Sequence, residues 1–411
     1  MPPGTSPRRA AVCASPLLPR PAFPVLAALV AVWLAQACGG GERLPQVPDD
    51  GDPGQPAGTF TAADGTRFSV EIVAAGLEVP WSLAFAPDGR IFVAERPGRV
   101  RIVSGGQVEP RPALTLTDVY AQGEAGLLGL TLHPQFESNR LVFLVYTARR
   151  SDGTPVNRVV RFRELNGELG EPVVLLDDID AASIHDGARI KFGPDGLLYV
   201  TMGDAADASL AQDLASLNGK VLRLNEDGTT PRDNPYSSPV YSWGHRNPQG
   251  IDWDPQTGSL WETEHGQSAR DEVNRVEAGK NYGWPEIQGA ETRPGMEPPA
   301  LFFEQTVAPS GAAFYRGGRI PSFAGNLFFA TLRGTHLHRV VLQSPNRTAV
   351  SSHERLLDGV FGRLRDVAMG NDGALYFSTS NRDGRGTPAP EDDRILRIVP
   401  ASSPERSTRE P

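Results

Sequence analysis

Cysteine is almost absent from this sequence of 411 residues, which contains only Cys13 and Cys38. Cys13 falls within the segment that we predict to be a cleaved export signal, so the mature chain keeps a single cysteine. An internal disulfide is therefore excluded, although an exported protein would be free to form one. The mature protein must be stabilised by burial of apolar side chains, and a hydrophobic content of 39% is sufficient for a real core.

An excess of positive charge is also missing. The formal net charge is −9, which argues against nucleic acid or an anionic membrane surface as the main partner. The acidity says nothing about the substrate.

Long hydrophobic runs are missing apart from one near the N-terminus. Residues 22–34 are almost wholly apolar and follow Arg8, Arg9 and Arg20. The run has the length of a signal-peptide core and is short for a membrane span. It ends in LAQAC at Cys38, which resembles a bacterial lipoprotein box. We predict a signal peptide over 1–38 with Cys38 lipidated, in an exported, periplasmic or cell-envelope protein. An ordinary signal peptide and a retained anchor helix are the alternatives.

The segments flanking the main domain have little to bury. Residues 39–66 are rich in Gly, Pro and Asp and are predicted to be a flexible linker. Residues 401–411 are predicted to be a disordered tail. A single domain is then expected over 67–400.

One pattern recurs six times along this domain: an apolar run, a turn built on Asp, Asn or Gly, and a second alternating apolar run. The instances are residues 83–95, 130–147, 190–204, 251–266, 319–334 and 367–381. Such turns between alternating segments indicate β-hairpins. A repeat of about 50 residues with several short strands is typical of a propeller. The sequence predicts an all-β, six-bladed β-propeller, with an unrelated β-sandwich as the alternative.

Ring closure is expected from the two ends of the domain. Residues 68–72 and 394–399 both alternate apolar and polar side chains. We predict that these N- and C-terminal strands pair within one blade, because an open ring would expose strand edges. The clearest helical stretch is short, at 210–220.

Polar residues cluster at the ends of the repeats, which in a propeller converge on the mouth of the central channel. His185 precedes one strand, residues 245–250 precede another, and Arg333 ends its own repeat. Arg363 and Arg365 are two positions apart and therefore face the same side of a strand. Arginines from three blades would repel each other at one mouth unless an anion lay between them. A planar polycarboxylate would suit them, since guanidinium groups bind carboxylates in pairs of hydrogen bonds.

Several of these segments resemble a known family. HDGARIKFGPDGLLYVTMGD (185–204), GHRNPQGIDW (244–253), DEVNRVEAGKNYGWP (271–285), TVAPSGAAFY (306–315) and RLRDV (363–367) resemble the soluble PQQ-dependent glucose dehydrogenases and their aldose and sorbosone dehydrogenase relatives. The resemblance runs from about residue 75 to 399. It implies a six-bladed propeller that binds pyrroloquinoline quinone (PQQ) and Ca²⁺ and oxidises aldose sugars to lactones. An external electron acceptor would reoxidise the cofactor.

The resemblance also implies roles for individual residues. His185 matches the general base and Asp204 the carboxylate that orients it. Arg246 and Asn247 match the pair that holds the quinone oxygens, and Arg246 would also stabilise negative charge during the reaction. Glu124 matches a substrate contact, where glucose enzymes have Gln.

The remaining matches concern the cofactor and two calcium ions. The further cofactor-binding positions are Thr306, Arg333, Arg363 and Arg365. The backbone carbonyls that match the cofactor calcium site belong to Gly266 and Gln267. The residues that match a second, structural calcium site are Asp271, Glu272 and Tyr282. Arg333 departs from the family's Lys.

Two other functions stay open at this point. A calcium-dependent lactonase-type hydrolase would need acidic and amide groups around one metal, and the arginines count against it. A non-catalytic binding propeller would have lost cofactor affinity, and intact His185, Asp204, Arg246 and Asn247 count against that.

Overall fold

The computed structural model describes residues 56–401. The predicted signal peptide, most of the predicted linker and all but the first residue of the predicted tail lie outside the described residues. Within 56–401, no helix is long and apolar enough to cross a membrane.

Six antiparallel sheets follow one another along the chain, after two N-terminal strands, β1 (Pro56–Thr61) and β2 (Arg67–Ala74). Blade 1 contains β3 (Pro80–Phe85), β4 (Ile91–Glu95), β5 (Arg99–Ser104), β6 (Gln107–Val108) and β7 (Leu114–Thr115). Blade 2 contains β8 (Leu127–Leu132), β9 (Leu141–Arg149), β10 (Pro155–Leu165) and β11 (Glu168–Asp180). Blade 3 contains β12 (Ile190–Phe192), β13 (Leu198–Met202), β14 (Lys220–Leu224) and β15 (Val240–Trp243).

The second half of the chain continues the pattern. Blade 4 contains β16 (Pro248–Trp253), β17 (Leu260–Glu264), β18 (Asp271–Val276) and β19 (Leu301–Phe303). Blade 5 contains β20 (Pro309–Phe314), β21 (Leu327–Thr331), β22 (Leu337–Leu342) and β23 (Val350–Leu356). Blade 6 contains β24 (Leu364–Met369), β25 (Leu375–Thr379) and β26 (Ile395–Pro400), followed in space by β2 and β1. The first strands of neighbouring blades contact one another around a closed ring. The fold is therefore the predicted all-β, six-bladed β-propeller.

Most of the repeats in the sequence are the hairpins that join the two inner strands of a blade. Gly89, Gly196, Gly258 and Gly373 occupy these turns with φ of 88°, 78°, 72° and 76°. Side chains with a Cβ adopt such angles with difficulty, so the turns favour glycine. The second repeat differs, because the short helix α1 (Phe136–Asn139) replaces the tight turn. The predicted helical stretch at 210–220 is reduced to α2 (Ser209–Gln212).

The first half of the fifth repeat is not the inner strand that the sequence predicts. The apolar residues from 319 are a loop with a 3₁₀ turn at Pro321–Phe323, and the inner strand β20 lies upstream. Pro321 lacks the N–H that an inner strand needs, which favours the 3₁₀ turn there.

The ring is closed by the N- and C-terminal strands, as predicted. Strand β2 pairs with β26 in the register Phe68↔Pro400 and Val70↔Ile398. Strand β1 then pairs with β2 on the outer edge. β1 lies inside the segment predicted to be a flexible linker, 39–66, so the folded domain begins by Pro56 rather than at 67. This strand contains Pro and Gly, which usually indicate a loop, so the sequence did not predict it. Both residues are tolerated in an edge strand.

Apolar side chains fill the spaces between neighbouring blades. Between blades 5 and 6, for example, Phe68, Phe323, Phe328 and Phe377 are fully buried in one cluster. This packing fixes the blades relative to one another, so that the segments leading into the inner strands meet at one mouth of the ring.

Candidate active site

A cavity of about 500 Å³ lies at the mouth where the inner strands begin. The predicted site residues that line it are Glu124, His185, Arg246, Gly266, Gln267, Asp271, Thr306, Arg333 and Arg363. Asp204 and Asn247 lie behind this lining and contact it, and Arg365 reaches it through Asp383, which also pairs with Arg363. Residues spread over some 240 positions of sequence are thus brought together by the ring.

His185 and Asp204 form a hydrogen-bonded pair in the cavity wall. The Nδ1 of His185 lies 2.7 Å from Oδ1 of Asp204. A carboxylate only accepts, so in the neutral imidazole Nδ1 carries the proton and Nε2 has the lone pair. The other Asp204 oxygen accepts from Trp284 Nε1 at 2.9 Å, and Ala206 N–H donates to Oδ1 at 2.9 Å. Asp204 is therefore held from three sides and fixes the imidazole, as its predicted role requires.

The backbone at His185 is unusual. Its φ is 64°, in the left-handed region that non-glycine residues seldom occupy. The neighbouring strand approaches so closely that a Cβ at Gly203 would collide with the carbonyl of His185. Backbone conformations of this kind persist where the surrounding structure enforces them, often at functional sites.

Arg246 and Asn247 tie the neighbouring loops together. Nη1 of Arg246 donates to the carbonyl oxygens of Gly266 at 2.6 Å and His265 at 3.2 Å. Asn247 Oδ1 accepts from the N–H of Gly187 at 3.1 Å. The Asn247 amide nitrogen reaches Glu124 at 3.5 Å.

Arg363 and Arg365 face the same side, as predicted. Both contact the carboxylate of Asp383, which the sequence did not predict. Arg363 donates to Oδ2 of Asp383 at 2.8 Å, and Arg365 lies 3.4 Å from the same oxygen. Burial lowers the pKa of Arg365 to about 10, with Asp383 opposing that shift. The repulsion between these two arginines is therefore relieved by the protein itself, and it does not by itself require an external anion.

Glu124 is paired across the mouth with Arg385. Its Oε1 accepts from Arg385 Nη1 at 2.9 Å. Burial alone would raise the pKa of Glu124, but the charges of His265 and Arg385 outweigh it and lower the pKa to about 2. Glu124 therefore presents a carboxylate, rather than an acid, to the cavity at neutral pH.

The structure places the residues predicted to hold calcium in more than one position. Gly266 and Gln267 lie in the cavity wall. The Asp271 carboxylate accepts hydrogen bonds from the N–H groups of Gly266, Val307 and Ala308 and from Thr306 Oγ1.

Glu272 and Tyr282 instead line a small adjoining space beside Trp284, together with Glu264. Asp271 and Glu272 are adjacent in β18, and successive side chains of a strand face opposite sides. Their carboxylates therefore do not converge, and Asp271 does not share a second calcium site with Glu272 and Tyr282 through its side chain.

The structure adds residues that the motifs did not single out. His265 lines the cavity, and its Nε2 lies 2.8 Å from the carbonyl oxygen of Pro309. Trp284 holds Asp204 and lies under Arg246, with the guanidinium carbon 5.2 Å from the ring centre. Asp383 and Arg385 come from a loop after β25. The sequence signal for this loop was only a cluster of charged residues and glycines.

Asp186 is the most unusual of the missed groups. It follows His185 directly and is buried, with Oδ1 accepting from Asn157 Nδ2 at 3.1 Å and Oδ2 left without a partner. Burial raises the pKa of this carboxyl to about 8. Asp186 therefore stays protonated at neutral pH, whereas an Asp in the unfolded chain ionises near pH 4.

We predict that this mismatch lowers stability as pH rises from about 4 to about 8, because the unfolded chain releases a proton that the folded chain retains. Asp186→Asn removes the titration. At pH 8 the melting temperature of the variant should exceed that of the wild type by about 2 °C or more, and the difference should vanish near pH 4 to 5. Thermal unfolding at both pH values measures this, with Asp152→Asn as an exposed control. An identical pH dependence in Asp186→Asn and the wild type would contradict the prediction.

Comparisons with known proteins show which family this chain resembles. The family model described as Glucose / Sorbosone dehydrogenase matches residues 77–396. Aldose sugar dehydrogenase YliI of Escherichia coli is 32% identical over 342 residues, covering 77% of this chain and 91% of the relative. Quinoprotein glucose dehydrogenase B of Acinetobacter calcoaceticus is 31% identical over 56% of this chain and 55% of the relative. The PQQ-bound aldose sugar dehydrogenase of Streptomyces coelicolor superposes with a TM-score of 0.73 at 37% identity, covering 81% of this chain and 98% of that one.

The chain is a six-bladed propeller with a His–Asp pair and several arginines at one mouth. The family match covers most of the chain. The chain therefore belongs to the glucose/sorbosone dehydrogenase family.

Proposed function

We propose that this protein oxidises aldose sugars at the anomeric carbon to lactones, with PQQ as cofactor and in dependence on Ca²⁺. The observation that carries the proposal is the His185–Asp204 pair in the wall of a cavity that is also lined by Arg246, Arg333 and Arg363. The names of the relatives point to the same reaction and cofactor.

His185 acts as the general base in this proposal. Asp204 holds the proton on Nδ1, so the free lone pair on Nε2 takes the proton of the anomeric hydroxyl. PQQ, when bound, supplies the acceptor for the hydride that leaves the same carbon. Glu124 and Arg385 stand at the cavity edge as candidate contacts for the sugar hydroxyls.

The residues present fit a planar polycarboxylate. Arg246, Arg333 and Arg363 would hold its carboxylates and quinone oxygens, with Thr306 beside them. The Nε of Arg246 is buried without a partner, so this guanidinium has donor capacity to spare. Arg365, behind the wall, helps to fix Arg363 through Asp383.

The cavity also fits a calcium ion beside the cofactor. The carbonyl oxygens of His265 and Gly266 already attract a positive group, the guanidinium of Arg246. Backbone carbonyls are common Ca²⁺ ligands. Gly266 and Gln267 would hold the ion, while Asp271 anchors the loop through the N–H of Gly266. For the second calcium site, the proposal keeps Glu272 and Tyr282.

The hydrolase alternative is not favoured by the metal-binding groups. Among residues 56–401, the one cluster of at least three metal-ligating side chains is His245, Glu262 and Glu264, which do not line the mouth together. A lactonase-type site would need such a cluster in the cavity itself.

The reaction is tested by reconstitution. The chain without its predicted signal peptide is supplied with PQQ and Ca²⁺, and dye reduction is followed with a panel of aldoses. We expect sugar-dependent reduction that a chelator abolishes. Binding of PQQ without reduction by any aldose would make the sugar assignment wrong. A folded protein that binds no PQQ would contradict the cofactor assignment and favour a binding propeller.

We also propose that the protein is exported to the periplasm or cell envelope and anchored there by lipid on Cys38, where it passes electrons to an external acceptor. The support is the sequence of residues 1–38. Cys38→Ser is expected to move the protein from the membrane fraction to the soluble fraction of lysed cells. Equal membrane association of the variant and the wild type would contradict the anchor.

A further inference from the structure

Three metal-ligating side chains meet at the junction of blades 3 and 4, behind the active-site cavity. Glu262 and Glu264 are two positions apart in β17 and face the same side, and His245 lies in the loop between β15 and β16. Nδ1 of His245 is 3.7 Å from Glu264 Oε1 and 4.0 Å from Glu262 Oε2. All three side chains are almost completely buried, with exposed fractions of 0%, 0% and 4% for His245, Glu262 and Glu264.

The imidazole of His245 is fixed so that one nitrogen points at the carboxylates. Its Nε2 bonds to Ser242 Oγ at 2.8 Å, and its ring stacks on Tyr282 with centres 4.8 Å apart. The opposite nitrogen, Nδ1, is buried and has no hydrogen-bond partner. One oxygen of Glu262, Oε1, is also buried and unpartnered.

No positive side chain among the described residues compensates the two glutamates. Their side-chain hydrogen bonds come from Asn274 Nδ2, at 3.1 Å from Glu262 and 3.0 Å from Glu264. Within residues 56–401, no Lys or Arg lies within ion-pair distance of either carboxylate. Buried carboxylates without a cation are strongly disfavoured, so a positive ion at this junction would stabilise the two glutamates.

The spacing fits a metal ion better than a shared proton. At 3.7 Å, Nδ1 and Glu264 are too far apart for a hydrogen bond. Ligands at about 2.0–2.2 Å from a tetrahedral ion lie roughly 3.4 Å from one another, which is close to the observed separations. One imidazole nitrogen with two carboxylates suits Zn²⁺ or Mn²⁺, whereas Ca²⁺ takes oxygen ligands.

We propose that His245, Glu262 and Glu264 bind a divalent transition-metal ion of the Zn²⁺ or Mn²⁺ class. This site is distinct from the sugar-oxidising chemistry and from the proposed cofactor calcium, and it adjoins the small space that Glu264 lines with Glu272 and Tyr282. Arg246 and Asn247 follow His245 directly, and His265 and Gly266 follow Glu264. Glu264 Oε2 also accepts the N–H of Arg246 at 2.7 Å. The ion therefore ties together the two segments that form this side of the cavity.

Metal content tests the site without relying on activity. The purified protein is unfolded in denaturant with a chelator, because a buried ion would exchange slowly in the folded state. It is refolded with Zn²⁺ or Mn²⁺ in metal-free buffer, dialysed and analysed by mass spectrometry for metals. We expect one ion per chain and a higher unfolding midpoint than after refolding without metal.

The variants His245→Gln and Glu262→Gln preserve size and should reduce the bound metal at least about tenfold. His133→Gln is the matched control, because His133 also pairs with a carboxylate, Glu226, at 2.6 Å, yet lies away from the junction. It should retain the ion. Circular dichroism checks that each variant has refolded.

Refolded wild type with native circular dichroism but almost no bound Zn²⁺ or Mn²⁺ would overturn the proposal. Binding of Ca²⁺ alone would overturn it as well, and so would a Glu262→Gln variant that binds as much metal as the wild type. None of these results depends on PQQ or sugar oxidation, so this proposal and the proposed function can fail separately.

Discussion

Replacing His185 by alanine is expected to lower kcat for aldose oxidation by about 10²- to 10⁴-fold, while PQQ still binds. The reason is that Nε2 of His185 carries the basic lone pair, and Asp204 holds the imidazole in place in the cavity wall. Alanine offers no base there. Steady-state dye reduction at saturating PQQ measures kcat, and cofactor titration measures binding in the same preparation.

Asp204→Asn provides the comparison that separates orientation from base strength. The amide keeps the size of the carboxylate, but it no longer enforces a proton on Nδ1. Its kcat should also fall, although the base itself is intact. A further variant, His133→Gln, removes a histidine far from the cavity and should leave kcat unchanged. If His185→Ala retained a kcat close to that of the wild type, His185 would not be the base.

Replacing Arg363 by alanine is expected to weaken PQQ binding by about 10²-fold or more, as the loss of a buried charge partner usually does. Arg363 lines the cavity and is held by Asp383 at 2.8 Å. The variant loses a guanidinium that would pair with a cofactor carboxylate. It also leaves Asp383 with Arg365 alone, so that more negative charge faces the anionic cofactor. Cofactor titration monitored by absorbance or calorimetry gives the dissociation constant.

Two further variants test whether geometry or charge matters at this position. Arg363→Lys keeps the charge but loses the planar pair of donors, so its affinity should lie between those of the wild type and Arg363→Ala. Arg319→Ala removes an exposed arginine that pairs with Asp372 at 3.7 Å and should bind PQQ normally. Equal dissociation constants for Arg363→Ala and Arg319→Ala would show that the cofactor does not contact this wall.

Much of the fold was predictable because a propeller repeats its local signals. Four of the six repeats carry the turn glycine of the inner hairpin, so several weak signals support one interpretation. The closing strands were predictable for the same reason, since β2 and β26 both alternate apolar side chains. β1 was missed because it touches the sheet on one side only and contains Pro and Gly.

The candidate site was predictable where residues lie at equivalent ends of repeats. His185, Arg246, Thr306 and Arg363 meet because each precedes or opens an inner strand. The counterion Asp383 was not predictable, because it comes from a loop outside the repeats. The burial of Asp186 was not predictable either, since it depends on the packing of blade 2 against blade 3.

The sequence by itself thus determined the number of blades, the closure of the ring and the convergence of the polar residues, because these follow from local periodicity and repeated spacing. Only the tertiary structure decided which charges face one another. It paired Arg363 and Arg365 with Asp383, set Asp271 apart from Glu272, and brought His245 to Glu262 and Glu264. Charge interactions depend on distances of a few ångströms between residues far apart in the chain, and sequence spacing carries no information about those distances.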